Sequence, residues 1–120
     1  MMRMIPTRVH AILDYLMGLL VMTSPWLFGF GDGGLNIHLI LGGGMIGAAA
    51  LTDFEFGLFR VIPMPVHLIL DAAVGLLAIL TPWLFNVTAF MGLHIAIGVA
   101  EIGMALMTST RPAGGRLVRA

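Results

Sequence analysis

The chain has 120 residues, 59% of them hydrophobic and only 10% charged, with a mean hydropathy of +1.03 and no net charge at neutral pH. Soluble domains carry about 25% charged residues, so the composition argues against a water-soluble monomer, and the balanced charge points to no nucleic-acid partner. Cysteine is absent, which removes disulfides and thiolate metal sites.

Four long apolar runs follow in chain order, over Thr7–Ser24, Asn36–Thr52, Met64–Thr81 and Ala89–Met107. A helix rises about 1.5 Å per residue, so each run spans about 27 Å, close to the thickness of a bilayer's hydrocarbon core. None has a polar face of the kind a soluble helix turns to water. The expectation is therefore an all-α protein of four transmembrane helices. The first is not expected to be a cleaved signal peptide, because its pattern returns in the third and it lacks a small-residue cleavage site.

All six basic residues are arginine. Arg3 and Arg8 precede the first run, Arg60 lies between the second and third, and Arg111, Arg116 and Arg119 follow the fourth. The connections at Gly31–Leu35 and Asn86–Thr88 contain no basic residue. By the positive-inside rule the termini and the middle loop are cytoplasmic. The implied location is a bacterial inner membrane, multi-pass, N-in and C-in.

The chain repeats itself. Laid over Pro65–Val87, Arg8–Phe30 matches at 12 of 23 positions, among them His10/His67, Asp14/Asp71, Gly18/Gly75 and the run Pro-Trp-Leu-Phe. The second spans match more weakly, with His38, Gly42 and Thr52 against His94, Gly98 and Thr108. The reading is one membrane domain over 1–120. Its first repeat covers about 8–56 and its second about 65–112, and 113–120 is a cytoplasmic tail. Each unit holds two spans, so both insert the same way up, as two tandem helical hairpins forming a four-helix bundle with a pseudo-two-fold axis along the membrane normal.

The repeated phrase is Ser24-Pro25-Trp26 in the first copy and Thr81-Pro82-Trp83 in the second. Proline removes a backbone donor and disfavours helix in the residue before it, so the helices are expected to end near Ser24 and Thr81. The hydroxyl would cap a short turn beginning at proline. Each tryptophan is then an interfacial anchor on the outer side, with Phe28, Phe30 and Phe85 dipping into the acyl region.

A two-span unit with Ser-Pro-Trp at the end of its first span, present twice, resembles the SPW-repeat family of small bacterial membrane proteins. The resemblance extends over nearly all of 8–112, including the flanking segments IPTRVH, LTDFEFG and RVIPMPVH. Thr81 departs from the family's serine but keeps the hydroxyl. The resemblance implies an integral membrane protein and no particular activity.

Ionisable residues within a bilayer are costly and face the interior of a bundle. His10, Asp14 and Gly18 share one helical stripe, as do His67, Asp71 and Gly75. Glu101 lies on the corresponding face of the fourth helix, where the second has Met45. Counted from the helix ends, all three acids sit about 10 Å below the cytoplasmic edge. His10, Asp14, His67, Asp71 and Glu101 are thus expected to converge, rimmed by Arg8, Asp53, Glu55, Arg60 and Arg111, with His38 and His94 a separate outer pair.

The leading reading is a non-enzymatic structural or accessory protein whose buried His–Asp–Glu network fixes helix register, with no cofactor. Its partners would be the lipid bilayer and a second copy or a larger membrane complex. The alternatives are a metal held by the His and Asp side chains, a bis-histidine haem b through His10/His67 or His38/His94 in a redox component, and a proton or small-solute transport path. No phosphate loop, nucleophile motif or nucleic-acid patch is present.

Overall fold

The computed structural model describes residues 3–29, 35–86 and 91–111. They form four α-helices and no strand: α1 (Thr7–Phe28), α2 (Leu35–Leu51), α3 (Met64–Leu84) and α4 (Met91–Met107). The expected connections 31–34 and 87–88, the side chain of Phe30 and the tail 113–120 lie outside the described residues. α1 packs chiefly on α2 and α3 on α4. At 22 and 21 residues, α1 and α3 are long and apolar enough to cross a membrane, whereas α2 and α4 have 17 each. These lengths correspond to roughly 33, 31 and 25 Å.

The helices start alike. Pro6 and Pro63 are extended N-cap residues with nearly equal backbone angles (φ −65°, ψ 148° and φ −62°, ψ 147°). Their carbonyls accept the first helical bonds, from the N–H groups of His10 and His67 at 3.1 and 3.0 Å. Just before each proline, an isoleucine makes a single parallel bridge to the residue that follows another helix. Ile5 pairs with Thr108 and Ile62 with Thr52. The segment before α1 is thereby tied to the end of α4, as the segment before α3 is tied to the end of α2.

The helix ends differ from expectation. Both long helices run through the Ser/Thr-Pro-Trp phrase, with Pro25 and Pro82 inside the last turn. The first copy accommodates its proline through Ser24. The serine hydroxyl donates to Val21 O at 2.7 Å, the carbonyl that Pro25 has no N–H to satisfy. Thr81 likewise turns back, to Leu77 O at 2.8 Å. Neither hydroxyl caps a turn beginning at proline. α1 instead closes on Gly29, whose left-handed φ of 66° suits glycine, with its N–H on Pro25 O.

Burial follows the repeat closely. The eight buried positions of α1 (7, 10, 11, 14, 18, 21, 24 and 25) recur 57 residues later as the eight of α3. Within each hairpin the helices touch backbone to backbone through glycine. A Cβ added to Gly42 would lie 2.6 Å from Gly18 O, and one added to Gly75 would lie 2.8 Å from Gly98 O. Among the described residues, thirteen buried side chains are polar or charged against eleven hydrophobic, while Leu16, Leu19, Ile40, Ile69, Leu76 and Val99 face outward. Such a distribution is inverted relative to a water-soluble protein.

Candidate functional site: a buried histidine–aspartate cluster

His10, Asp14, His67 and Asp71 stand on the facing stripes of α1 and α3 and are all buried. One donor atom from each lies within 4.8 Å of the others. The short contacts cross between the helices. His10 Nε2 is 2.7 Å from Asp71 Oδ2, and His67 Nε2 is 2.7 Å from Asp14 Oδ2. The i, i+4 contacts, His10 to Asp14 and His67 to Asp71, are longer, at 3.1 Å each. The two copies therefore serve each other's histidine before their own.

The other imidazole nitrogens reach the remaining two helices. His10 Nδ1 lies 2.7 Å from Thr108 Oγ1, after α4, and His67 Nδ1 lies 2.7 Å from Thr52 Oγ1, after α2. Each threonine hydroxyl also sits 2.6 Å from a carbonyl of its own helix, Thr108 on Met104 O and Thr52 on Ala48 O. A hydroxyl has one proton. Spent on the carbonyl, it leaves the oxygen to accept, so each Nδ1 carries hydrogen. The four helices are in this way stitched through one cluster: α2 to α3 by Thr52, α3 to α1 by the aspartates, and α1 to α4 by Thr108.

Phe54 covers the cluster, its ring centroid 5.3 Å from that of His67 and 6.5 Å from that of His10. It is placed there by the connection after α2, which folds back when Asp53 N–H donates to Ile62 O at 2.8 Å. The same fold-back buries Asp53, which the sequence places on the surface rim. The other rim residues are more open. Arg8, Arg60 and Arg111 are exposed, and Glu55 is partly buried and accepts from Thr7 Oγ1 at 2.7 Å. Arg60 donates to the backbone carbonyls of Gly57 and Glu55.

Glu101 is buried against Gly75, one turn beyond Asp71, and stays outside the four-residue group. Its Oε1 has no hydrogen-bond partner among the described residues, and neither has Asp14 Oδ1. His38 and His94 meet directly, Nε2 to Nε2 at 2.8 Å. That contact leaves no room for an iron and its macrocycle between the two nitrogens. The tryptophans are open to the surroundings, Trp26 at 63% and Trp83 at 59% exposure. A groove of about 340 Å³ beside α3 and α4, lined by Arg3, Pro65, Leu68 and Ala105 among others, holds none of the cluster residues.

The sequence did not single out Thr52 and Thr108 as the histidines' partners, nor Phe54 as their cover. The signal available was their repeat position, each following the last turn of a second span. Arg3, which the sequence places only as a charge before the first run, donates its guanidinium to Ala105 O and Thr108 O at 3.0 and 2.9 Å, closing the end of α4.

No curated protein and no solved structure matches the chain. A family model does, that of the SPW repeat domain, over residues 8–108. With its apolar helices this fits a small membrane protein. The match takes in both copies of the phrase and every member of the buried cluster, and the chain belongs to the SPW repeat family.

Proposed function

We propose that the protein is a non-enzymatic structural or accessory component of a bacterial inner membrane, with four spans, both termini cytoplasmic, and the His–Asp cluster as its clasp. The observation that carries the clasp is a pair of hydrogen-bonded runs, Thr52–His67–Asp14 and Thr108–His10–Asp71, which approach each other through the 3.1 Å contact of His10 with Asp14. Lipid offers no hydrophobic drive for helix association, so specific polar contacts of this kind hold spans in register. The outward-facing apolar side chains support the bilayer as surroundings, and the matching burial of the two copies supports a pseudo-two-fold axis along the membrane normal. At 17 residues, α2 and α4 would cross with little tilt or locally thin the bilayer. The short chain fits self-association or service within a larger membrane complex.

Two measurements test this reading. Cysteines introduced at Gly33 or Thr88 should react with an impermeant reagent from the periplasm, and one at Gly57 should not. Labelling of Gly57 from outside would reverse the orientation. For the clasp, Asp71→Ala breaks the buried contacts to both histidines and should cost about 3–5 kcal/mol in metal-free detergent. A variant as stable as the parent would remove the clasp.

A further inference from the structure

We infer that the cluster of His10, Asp14, His67 and Asp71 is a binding site for one divalent metal ion of the Zn²⁺ type. The inference deepens the clasp reading and rests on the same four residues.

The first ground is a shortfall of protons. With each Nδ1 hydrogen committed to a threonine, a His–Asp pair that is electrically neutral has one proton between Nε2 and the carboxylate, whichever atom holds it. The cluster thus has two protons for four close nitrogen–oxygen contacts, two at 2.7 Å and two at 3.1 Å. Two contacts are left without hydrogen, and Asp14 Oδ1, buried and without a hydrogen-bond partner among the described residues, is where one of them falls. A single cation bonded to all four donors satisfies every one of them.

The second ground is geometry. Zinc binds imidazole nitrogen and carboxylate oxygen at about 2.0–2.2 Å, usually with four ligands in a tetrahedron. Such a tetrahedron has ligand atoms about 3.3–3.5 Å apart. The four donors here lie within 4.8 Å of one another, and to reach that tetrahedron their nitrogen–oxygen spacings of 2.7 and 3.1 Å open by about 0.2–0.8 Å. The outer shell is also in place, because a metal-bound histidine donates its other N–H to a fixed acceptor. Thr52 and Thr108 are such acceptors, each held by its own carbonyl bond.

The third ground is charge. Two His–Asp pairs with one shared proton each are neutral together. Zn²⁺ with two neutral imidazoles and two carboxylates is neutral as well, so one zinc enters as two protons leave. An exchange that adds no net charge suits a buried position, where an uncompensated ion is expensive.

The test uses the full chain, purified in mild detergent, stripped with chelator and titrated with Zn²⁺ alone in a weakly buffered solution containing a pH indicator. The expected result is one Zn²⁺ per chain, two protons released per zinc, and a higher Tm for the loaded form. Asp71→Asn and His67→Gln should each lower bound zinc at least tenfold, with helicity followed by circular dichroism. His94→Gln, outside the cluster, should keep full stoichiometry. Failure of the parent chain to take up stoichiometric zinc overturns the inference and leaves the clasp standing if Asp71→Ala still destabilises the metal-free protein. Zinc retained by Asp71→Asn and His67→Gln but lost in His94→Gln would likewise overturn it.

Discussion

Thr52→Val isolates a single link in the cluster. Valine nearly reproduces threonine in shape, and Thr52 is fully buried, so no cavity opens and backbone angles are kept. What disappears is the acceptor 2.7 Å from His67 Nδ1 and the donor 2.6 Å from Ala48 O. A buried N–H left without an acceptor costs about 1–3 kcal/mol, and bonds between membrane helices average ~0.6 kcal/mol in double-mutant cycles. The loss should therefore fall between ~0.6 and ~3 kcal/mol, with Thr52→Ser restoring most of it. The assay is reversible unfolding by SDS in mixed micelles, followed by circular dichroism. Thr108→Val makes the corresponding change at His10, and the imidazoles of His10 and His67 are only 5.3 Å apart. Groups in such contact couple, by about 0.5–3 kcal/mol, so the double variant should depart from the sum of the two. Single variants within ~0.3 kcal/mol of the parent, or strict additivity, would refute a connected cluster.

Replacing Gly42 by alanine sets a methyl group 2.6 Å from Gly18 O and should cost about 1–3 kcal/mol, read in the same unfolding assay; an unchanged midpoint would mean that α1 and α2 separate without penalty. Glu101→Met installs the residue that the first repeat carries at the matching position and removes a buried carboxyl oxygen with no hydrogen-bond partner among the described residues. Thermal unfolding should rise by the equivalent of about 1–3 kcal/mol, and a fall would refute the reading of Glu101 as a buried group that costs stability. Pro25→Ala should leave helix content and Trp26 fluorescence quenching by headgroup-level probes unchanged, because α1 already continues to Phe28. A shift in quenching would assign the placement of the tryptophan to the proline.

Much of this organisation could be read from residue spacing. The i, i+4 recurrence of His10, Asp14 and Gly18, repeated at His67, Asp71 and Gly75, identified the stripes that the helices bury. The same spacing does not say which histidine bonds which aspartate, since sequence distance reports which residues share a face and not which faces meet. Thr52 and Thr108 lie 15 and 98 positions from the histidines they serve, separations that no local pattern connects. The proline rule failed at Pro25 and Pro82 for a local reason. In the last turn of a helix few bonds remain to be lost, and at Pro25 the adjacent serine hydroxyl takes up the carbonyl left open. Asp53 reads as a surface acid from its place just after the second apolar run, but the fold-back that buries it depends on pairing with Ile62, nine residues on.

The crossing of bonds between the two copies has a consequence for biosynthesis. Asp14 leaves the ribosome 57 residues ahead of Asp71, which at about 5–20 residues per second is an interval of roughly 3–11 s. Through that interval the first hairpin holds a histidine and an aspartate whose closest partners are still unmade. On the proposed four-span reading, it would have to stay beside water or under the cover of another protein before release into lipid. The second hairpin meets no such delay, because everything its histidine requires is already in place. On that reading, two halves so alike in sequence would enter the membrane under different conditions.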